Sequence, residues 1–300
     1  MSQPHHKPII PFGDALLGIA TFAGMDVVMK GLSIEMGAYN AMFWRTLIGL
    51  PMAATLFLWN RNAWPKWRNI KSHVWRGVVT SLMAFLFFWG LVHVPLAEAI
   101  GLSFIAPLLA LYLAAILLGE RISRQSIVAS VIGFSGAVMI LAGKLGGEYS
   151  DTIGLGIAAI LFSAVLYGYN LILQRQQALL ADPVEIALFQ SGTILVVYAL
   201  LAPLLAIPPA IGQLLPLAAA AFLAIVSILL LSWAYARAQA KILIPVEYTA
   251  FIWAALFGWL VFGEEVTLVT FAGTALIVAG CLVAASQQPD KVEHVEATAL

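Results

Sequence analysis

Long apolar blocks separated by short polar breaks make up almost the whole chain. The blocks fall near 12–32, 37–58, 75–93, 95–118, 126–144, 153–174, 184–206, 213–236, 241–262 and 266–286. Most are close to the ~20 residues an α-helix needs to cross ~30 Å of hydrocarbon. With no water in the bilayer to satisfy backbone N–H and C=O groups, such blocks must be helical. The pattern predicts an all-α integral membrane protein with ten transmembrane helices. Pro95, Pro183 and Pro245 stand near block starts, where a missing N–H costs little. The breaks leave no room for a soluble domain, so any chemistry is expected inside the bundle.

Composition sharpens this picture. Hydrophobic residues are 62% of the 300 positions, charged residues only 10%, and mean hydropathy is +0.96. Soluble domains carry roughly 25% charged residues. A net charge of zero gives no reason to expect a nucleic acid or other polyanion as partner. The one cysteine, Cys281, lies in an apolar run and reads as a packed thiol. The first block carries Asp14, Asp26 and Lys30 and lacks a cleavage pattern, so it is expected to be retained as a span.

Lysine and arginine placement predicts orientation. Arg61, Lys66, Arg68, Lys71 and Arg76 follow the second block, and Arg121, Arg124, Arg175, Arg237, Lys241, Lys7 and Lys291 fall on the same side. Only Lys30 and Lys144 lie opposite, beside Glu35, Glu148, Asp151, Glu264 and Glu265. Both termini are therefore expected in the cytoplasm. An offset of 144 residues brings Gly24 onto Gly168, Asp26 onto Asn170, Trp89 onto Trp233, Gly119-Glu120 onto Gly263-Glu264 and Gly136 onto Gly280. This register divides the chain into one repeat over 1–144, a second over 153–286, and a cytoplasmic tail at 287–300. Five spans per repeat is an odd number, so the two halves should be inserted upside down relative to each other, a common basis for alternating access.

Ionisable residues within spans are costly and should be paired or face a cavity. Asp26 and Arg45 lie at similar depth on adjacent helices and are expected to form an ion pair or gate, with Lys30 at i+4 from Asp26 as a third member. Glu247, isolated in span nine beside Tyr248, is a candidate proton or cation site or a bonded neutral acid. Glu98 reads as interfacial, and Glu120 and Glu264 as helix-exit residues. Trp89, Tyr167, Tyr169, Trp233, Tyr248 and Trp253 are candidates for stacking on a planar ring or holding a cation, against the alternative of packing aromatics. Small residues in spans five and ten, such as Gly133 and Gly273, fit close helix packing, and a homodimer seam is left open. His93 and His294 lack companions at metal-ligand spacing, so neither metal nor cofactor is expected. No phosphate loop, zinc motif or nucleophile elbow is present, which argues against an enzyme.

Two passages then carry a resemblance: LAEAIGLSFIAPLLALYLAAILLGERIS at 96–123 and PVEYTAFIWAALFGWLVFGEEVT at 245–267. Both resemble the paired signature of the drug/metabolite transporter superfamily, EamA type. GMDVVMKGL at 24–32 and FWR at 43–45 are similar to a branch that includes bacterial carriers for riboflavin and for S-adenosylmethionine. The resemblance implies a secondary carrier of the bacterial inner membrane, without ATP hydrolysis, whose central cavity opens alternately to either side. A small-molecule substrate and membrane lipid are the implied partners. Aromatic richness favours riboflavin uptake, with S-adenosylmethionine uptake or export of amino acids or other metabolites as alternatives. The basic bias makes the first prediction: a periplasm-active reporter fused to the C-terminus should stay dark in intact cells, and a bright one contradicts the topology.

Overall fold

The computed structural model describes residues 9–59, 64–65, 67–106, 108–109, 112–113, 124–144, 151–178, 180–237 and 249–285. Among these residues all regular structure is helical. The helices are α1 (Ile9–Met36), α2 (Ala38–Trp59), α3 (Trp67–Leu91), α4 (Leu96–Ser103), α5 (Arg124–Lys144), α6 (Asp151–Ala178), α7 (Pro183–Ala199), α8 (Ile211–Arg237), α9 (Thr249–Phe262) and α10 (Leu268–Ala285). A single turn, Ala202–Leu205, separates α7 from α8. Among the described residues, five segments are long and apolar enough to span a bilayer: Gly13–Met36, Ala38–Trp59, Asn69–Leu91, Thr152–Gln174 and Ile211–Ala234. Shorter apolar helices include Pro183–Ala199, Thr249–Phe262 and Leu268–Gly280. The bundle turns large apolar side chains outward, including Ile211 at 89% and Leu215 at 79% exposure, as a lipid-facing surface requires.

Several boundaries differ from the hydropathy reading: α1 runs to Met36, α6 to Ala178, α4 ends at Ser103, and two others have a visible cause. Helix α3 begins at Trp67 rather than near 75, because His73 and Arg76 are buried with polar partners instead of standing in a basic loop. The seventh apolar block breaks after Ala199 rather than reaching 206, and Pro203, Pro208 and Pro209 flank the break.

Most of the strong contacts follow one scheme, with α1/α2 and α4/α10 outside it. The main contacts are α1/α8 and α3/α6, α2/α8 and α3/α7, α1/α9 and α4/α6, together with α2/α7, α4/α9 and α5/α10. If α1–α5 are matched to α6–α10 in order, each of the first three couples exchanges its members and the last three contacts map onto themselves. Helix directions agree with this exchange. Gly18 lies against Leu231 and Gly24 against Leu223, so α1 and α8 run antiparallel. Gly90 meets Ile160 while Ser163 donates to the Met83 carbonyl (2.8 Å), so α3 and α6 do the same. Gly136 meets Ile277 while Gly273 meets Ile140, so α5 and α10 are antiparallel too. Hence α1, α3, α5, α7 and α9 end, and α2, α4, α6, α8 and α10 begin, at one end of the bundle, called here the upper end.

The closest approach joins α5 to α10. A Cβ built on Gly136 would stand 2.3 Å from the Gly273 carbonyl oxygen, and one on Gly273 would stand 2.7 Å from that of Gly136. The small-residue face read as a packing or dimer seam is thus used inside the chain. By contrast, nothing lies within 4 Å of a Cβ on Gly31 in α1. Gly136→Ala should therefore lower the thermal midpoint in detergent. Gly31→Ala should leave it unchanged or raise it, since an open helical glycine costs about 0.5–1 kcal/mol relative to alanine.

Candidate functional site

The upper end holds a polar joint between four segments. Lys30, in the last third of α1, is paired with Glu264, which follows α9, and also donates to the Val94 carbonyl at 3.1 Å. The second Glu264 carboxylate oxygen accepts the Leu96 N–H at 2.7 Å. Leu96 opens α4 behind Pro95, which offers no side-chain cap. A helix start leaves unsatisfied N–H groups and a positive dipole end, so an anion there is favourable. Glu264 therefore neutralises a buried lysine and caps a helix of the other half at once. Lys30 also stands 5.0 Å from the centre of the Phe262 ring. Behind the joint, Glu98 is buried and accepts from Thr270 at 3.5 Å.

Local sequence explains how Glu264 gets there. Gly263 takes φ +65°, a left-handed conformation that favours glycine at a helix exit, and the Glu264 N–H then reaches the Gly258 carbonyl at 3.1 Å. Gly258 leaves room for the returning carboxylate, because a Cβ there would sit 3.0 Å from Glu264 Oε2. Glu264 was expected to serve only its own helix exit; its reach across the bundle is what the sequence reading missed. The Gly-Glu repeat was the available signal, since a left-handed glycine turn before an acid re-aims that acid. Glu120, its counterpart, lies outside the described residues.

One turn before Lys30, Asp26 is 1% exposed, and neither of its carboxylate oxygens has a hydrogen-bond partner among the described residues. The expected Asp26–Arg45 bond is not formed. The Arg45 charge is close enough to act on Asp26, yet its Nη1 contacts the Met25 sulfur at 3.5 Å. Lys30, expected beside Asp26, is drawn instead to Glu264, which offers both a charge and a closed helix end.

Nearer the lower end, α3 is bonded to α6 and α7. Arg76 donates to Asn170 Oδ1 (3.0 Å) and Gln177 Oε1 (2.7 Å), and Thr80 donates to Asn170 Oδ1 (3.3 Å). His73 meets Glu185 at 2.9 Å and stacks on Phe189. Higher up, Tyr198 donates to the Ser81 carbonyl at 2.8 Å and accepts on its own carbonyl from Tyr39 at 2.6 Å.

The aromatic candidates sit at several places in the bundle. Trp89 shares a stripe of α3 with outward Val78 and Leu82, and Trp233 shares one of α8 with outward Leu215 and Phe222. Tyr169 lies on the stripe of exposed Phe162 and Val165 and accepts from Trp75 at 2.9 Å. All three are partly buried rather than exposed, and Trp89 packs against the main apolar core with its ring edge-on to His93. Trp253 faces inward, stacked on Phe257 at 5.9 Å and packed near Ala15, Ile19 and Ala234. Tyr167 is half-buried and near enough to Arg76 to interact electrostatically. Glu247 and Tyr248 lie outside the described residues. No cluster of three metal-ligating side chains occurs among the described residues.

Comparison with known proteins agrees with this architecture. The riboflavin transporter of Rhizobium johnstonii is 28% identical over 89% of this chain and 87% of its own length. The pseudopaline exporter CntI of Pseudomonas aeruginosa is 25% identical over 89% of this chain and 93% of its own. The S-adenosylmethionine uptake transporter of Rickettsia prowazekii is 30% identical, but over 49% of this chain and 50% of its own. A crystal structure with 20% identity shares the fold at a TM-score of 0.62, covering 91% of this chain and 96% of that one. The EamA-like transporter family matches twice, at residues 13–142 and 154–286. With two family units filling an apolar helical bundle, the chain belongs to the EamA-like transporters and is a membrane carrier rather than an enzyme.

Proposed function

We propose that the chain is an alternating-access carrier for a small organic metabolite, built as ten spans in two inverted halves in a bacterial inner membrane. The observation that carries this reading is the exchange relation among the helix contacts: α1/α8 with α3/α6, α2/α8 with α3/α7, and α1/α9 with α4/α6. Two five-helix units related by an in-plane two-fold axis have two equivalent ways to lean on one another, which is the requirement for opening alternately to each side. The basic bias assigns the upper end to the outside, so the Lys30–Glu264 joint closes the outer mouth here.

The substrate space then lies between the halves, bordered by α1, α3, α4, α6, α8 and α9. Trp253 and Tyr167 are its inward aromatics, with Glu247 and Tyr248 added from the sequence alone. Riboflavin is the substrate favoured by this inward aromatic set and by two relatives named riboflavin transporter, the second from Brucella anthropi at 23% identity. A second reading, a metabolite with an amino-acid head group, is favoured by Arg45. That cation is partly exposed and, among the described residues, its side chain bonds a thioether rather than an acid, which leaves donors for a carboxylate.

Counterflow in proteoliposomes loaded with riboflavin, S-adenosylmethionine or mixed amino acids tests both. Exchange of labelled riboflavin is expected. Exchange of amino-acid compounds alone supports the second reading, and channel-like flux without counterflow refutes the carrier. Removing one partner of a buried ion pair costs about 3–5 kcal/mol. Lys30→Met and Glu264→Gln should each lower the exchange rate at least about tenfold; wild-type exchange in both would separate the joint from transport.

A further inference from the structure

We propose that Asp26 is a proton-binding site, and that Lys30 switches between Glu264 and Asp26 so that proton binding and closure of the upper end are linked. Comparison of the two halves carries this. Asp26 and Asn170 are repeat counterparts, as are Arg76 with Ala220 and Thr80 with Ala224. In the second half the Asn170 amide oxygen accepts from both Arg76 and Thr80. Around Asp26 the counterparts of those donors, both on α8, are alanines, and the Asp26 oxygens have no partner among the described residues. An ionised carboxylate buried without any donor is strongly disfavoured, and the usual outcome is that it takes up a proton. Asparagine, at the matching position, is the permanently neutral isostere of that protonated acid.

The surrounding charges fit the same state. On α2, Arg45 turns a donor to the Met25 sulfur, although a guanidinium beside a carboxylate ion ordinarily forms short, often bidentate bonds. Tyr198 of α7 lies beyond Arg45 and gives its hydroxyl to Ser81. On α1, Lys30 is held by Glu264 and the Val94 carbonyl, with Glu98 of α4 nearby. Residues 211–234 of α8, 249–262 of α9 and 77–91 of α3 contain no charged side chain.

Opening the upper end must separate Lys30 from Glu264. The freed ammonium then lies at i+4 from Asp26, the spacing and order that favour a carboxylate–lysine pair on one helix. The balance is one proton. On opening, the Asp26 carboxylic acid releases H⁺ to the opened mouth as Lys30 pairs with the carboxylate, while Glu264 is left solvated. On closing, Asp26 regains H⁺ as Lys30 returns to Glu264. Proton binding therefore favours the closed upper end, whose population rises as pH falls. This holds whatever the carrier transports.

The test needs no transported solute. In infrared spectra of the purified full-length protein at neutral pH, a protonated-carboxyl C=O band should be lost in Asp26→Asn. Glu264→Gln should lose the same band with Asp26 intact, because Lys30 is released to it, whereas Glu98→Gln should keep it. A spectrum unchanged by Asp26→Asn shows Asp26 ionised and overturns the proposal. If Asp26→Asn does not fold, Glu264→Gln decides alone, and a band that survives there overturns the switch. Neither outcome bears on counterflow, so the carrier reading stands or falls separately.

Discussion

A lysine buried in a membrane helix has to be answered by an anion, and the position of that anion organises the upper end of this bundle. Glu264 reaches back from a left-handed glycine turn to meet Lys30, and its other oxygen closes the start of α4. One carboxylate thus binds α1, α4 and the α9–α10 connection. Such a joint holds only while both halves lean together, because its two cations, a lysine and a helix dipole, belong to the half that does not supply the acid. Its strength and its reversibility have the same origin: charges that water can satisfy when the mouth opens.

The halves share a frame but not a filling. Most of the strong helix contacts come in equivalent couples, so backbone packing largely obeys the two-fold exchange. Polar groups do not. The lower part of the α3/α6 contact is bonded through Arg76, Thr80, Asn170 and Gln177, whereas the matching α1/α8 contact has alanines opposite an acid. Small residues bring the remaining helices into near-backbone contact, as at Gly136 and Gly273. A frame symmetric in packing and asymmetric in charge can rock between two similar shapes while distinguishing them electrostatically.

The fold was largely legible because its governing constraint is local: apolar length and the need for internal hydrogen bonds fix helices wherever ~20 apolar residues run together. The Gly-Glu register exposed the repeat, and the family match covers both units. Partnerships were less legible. Asp26 and Arg45 were matched by depth, but depth says nothing about azimuth, and Lys30 went to an acid 234 positions away in the chain. Arg76 and His73 looked like loop charges until their partners on α6 and α7 were in place. Trp89 and Trp233 share a register that looks like a binding motif, and both are partly buried, so register alone does not say what their rings face.

The central claim is that the Lys30–Glu264 joint must break and re-form in every cycle. Cysteines at both positions, in a chain with Cys281→Ser, test it by oxidative cross-linking in proteoliposomes. Because the two substitutions remove the joint together, the reduced protein is the reference for its own oxidised form. The account predicts that the cross-link forms readily, stops exchange, and releases it on reduction. Exchange at the same rate before and after quantitative cross-linking would contradict it.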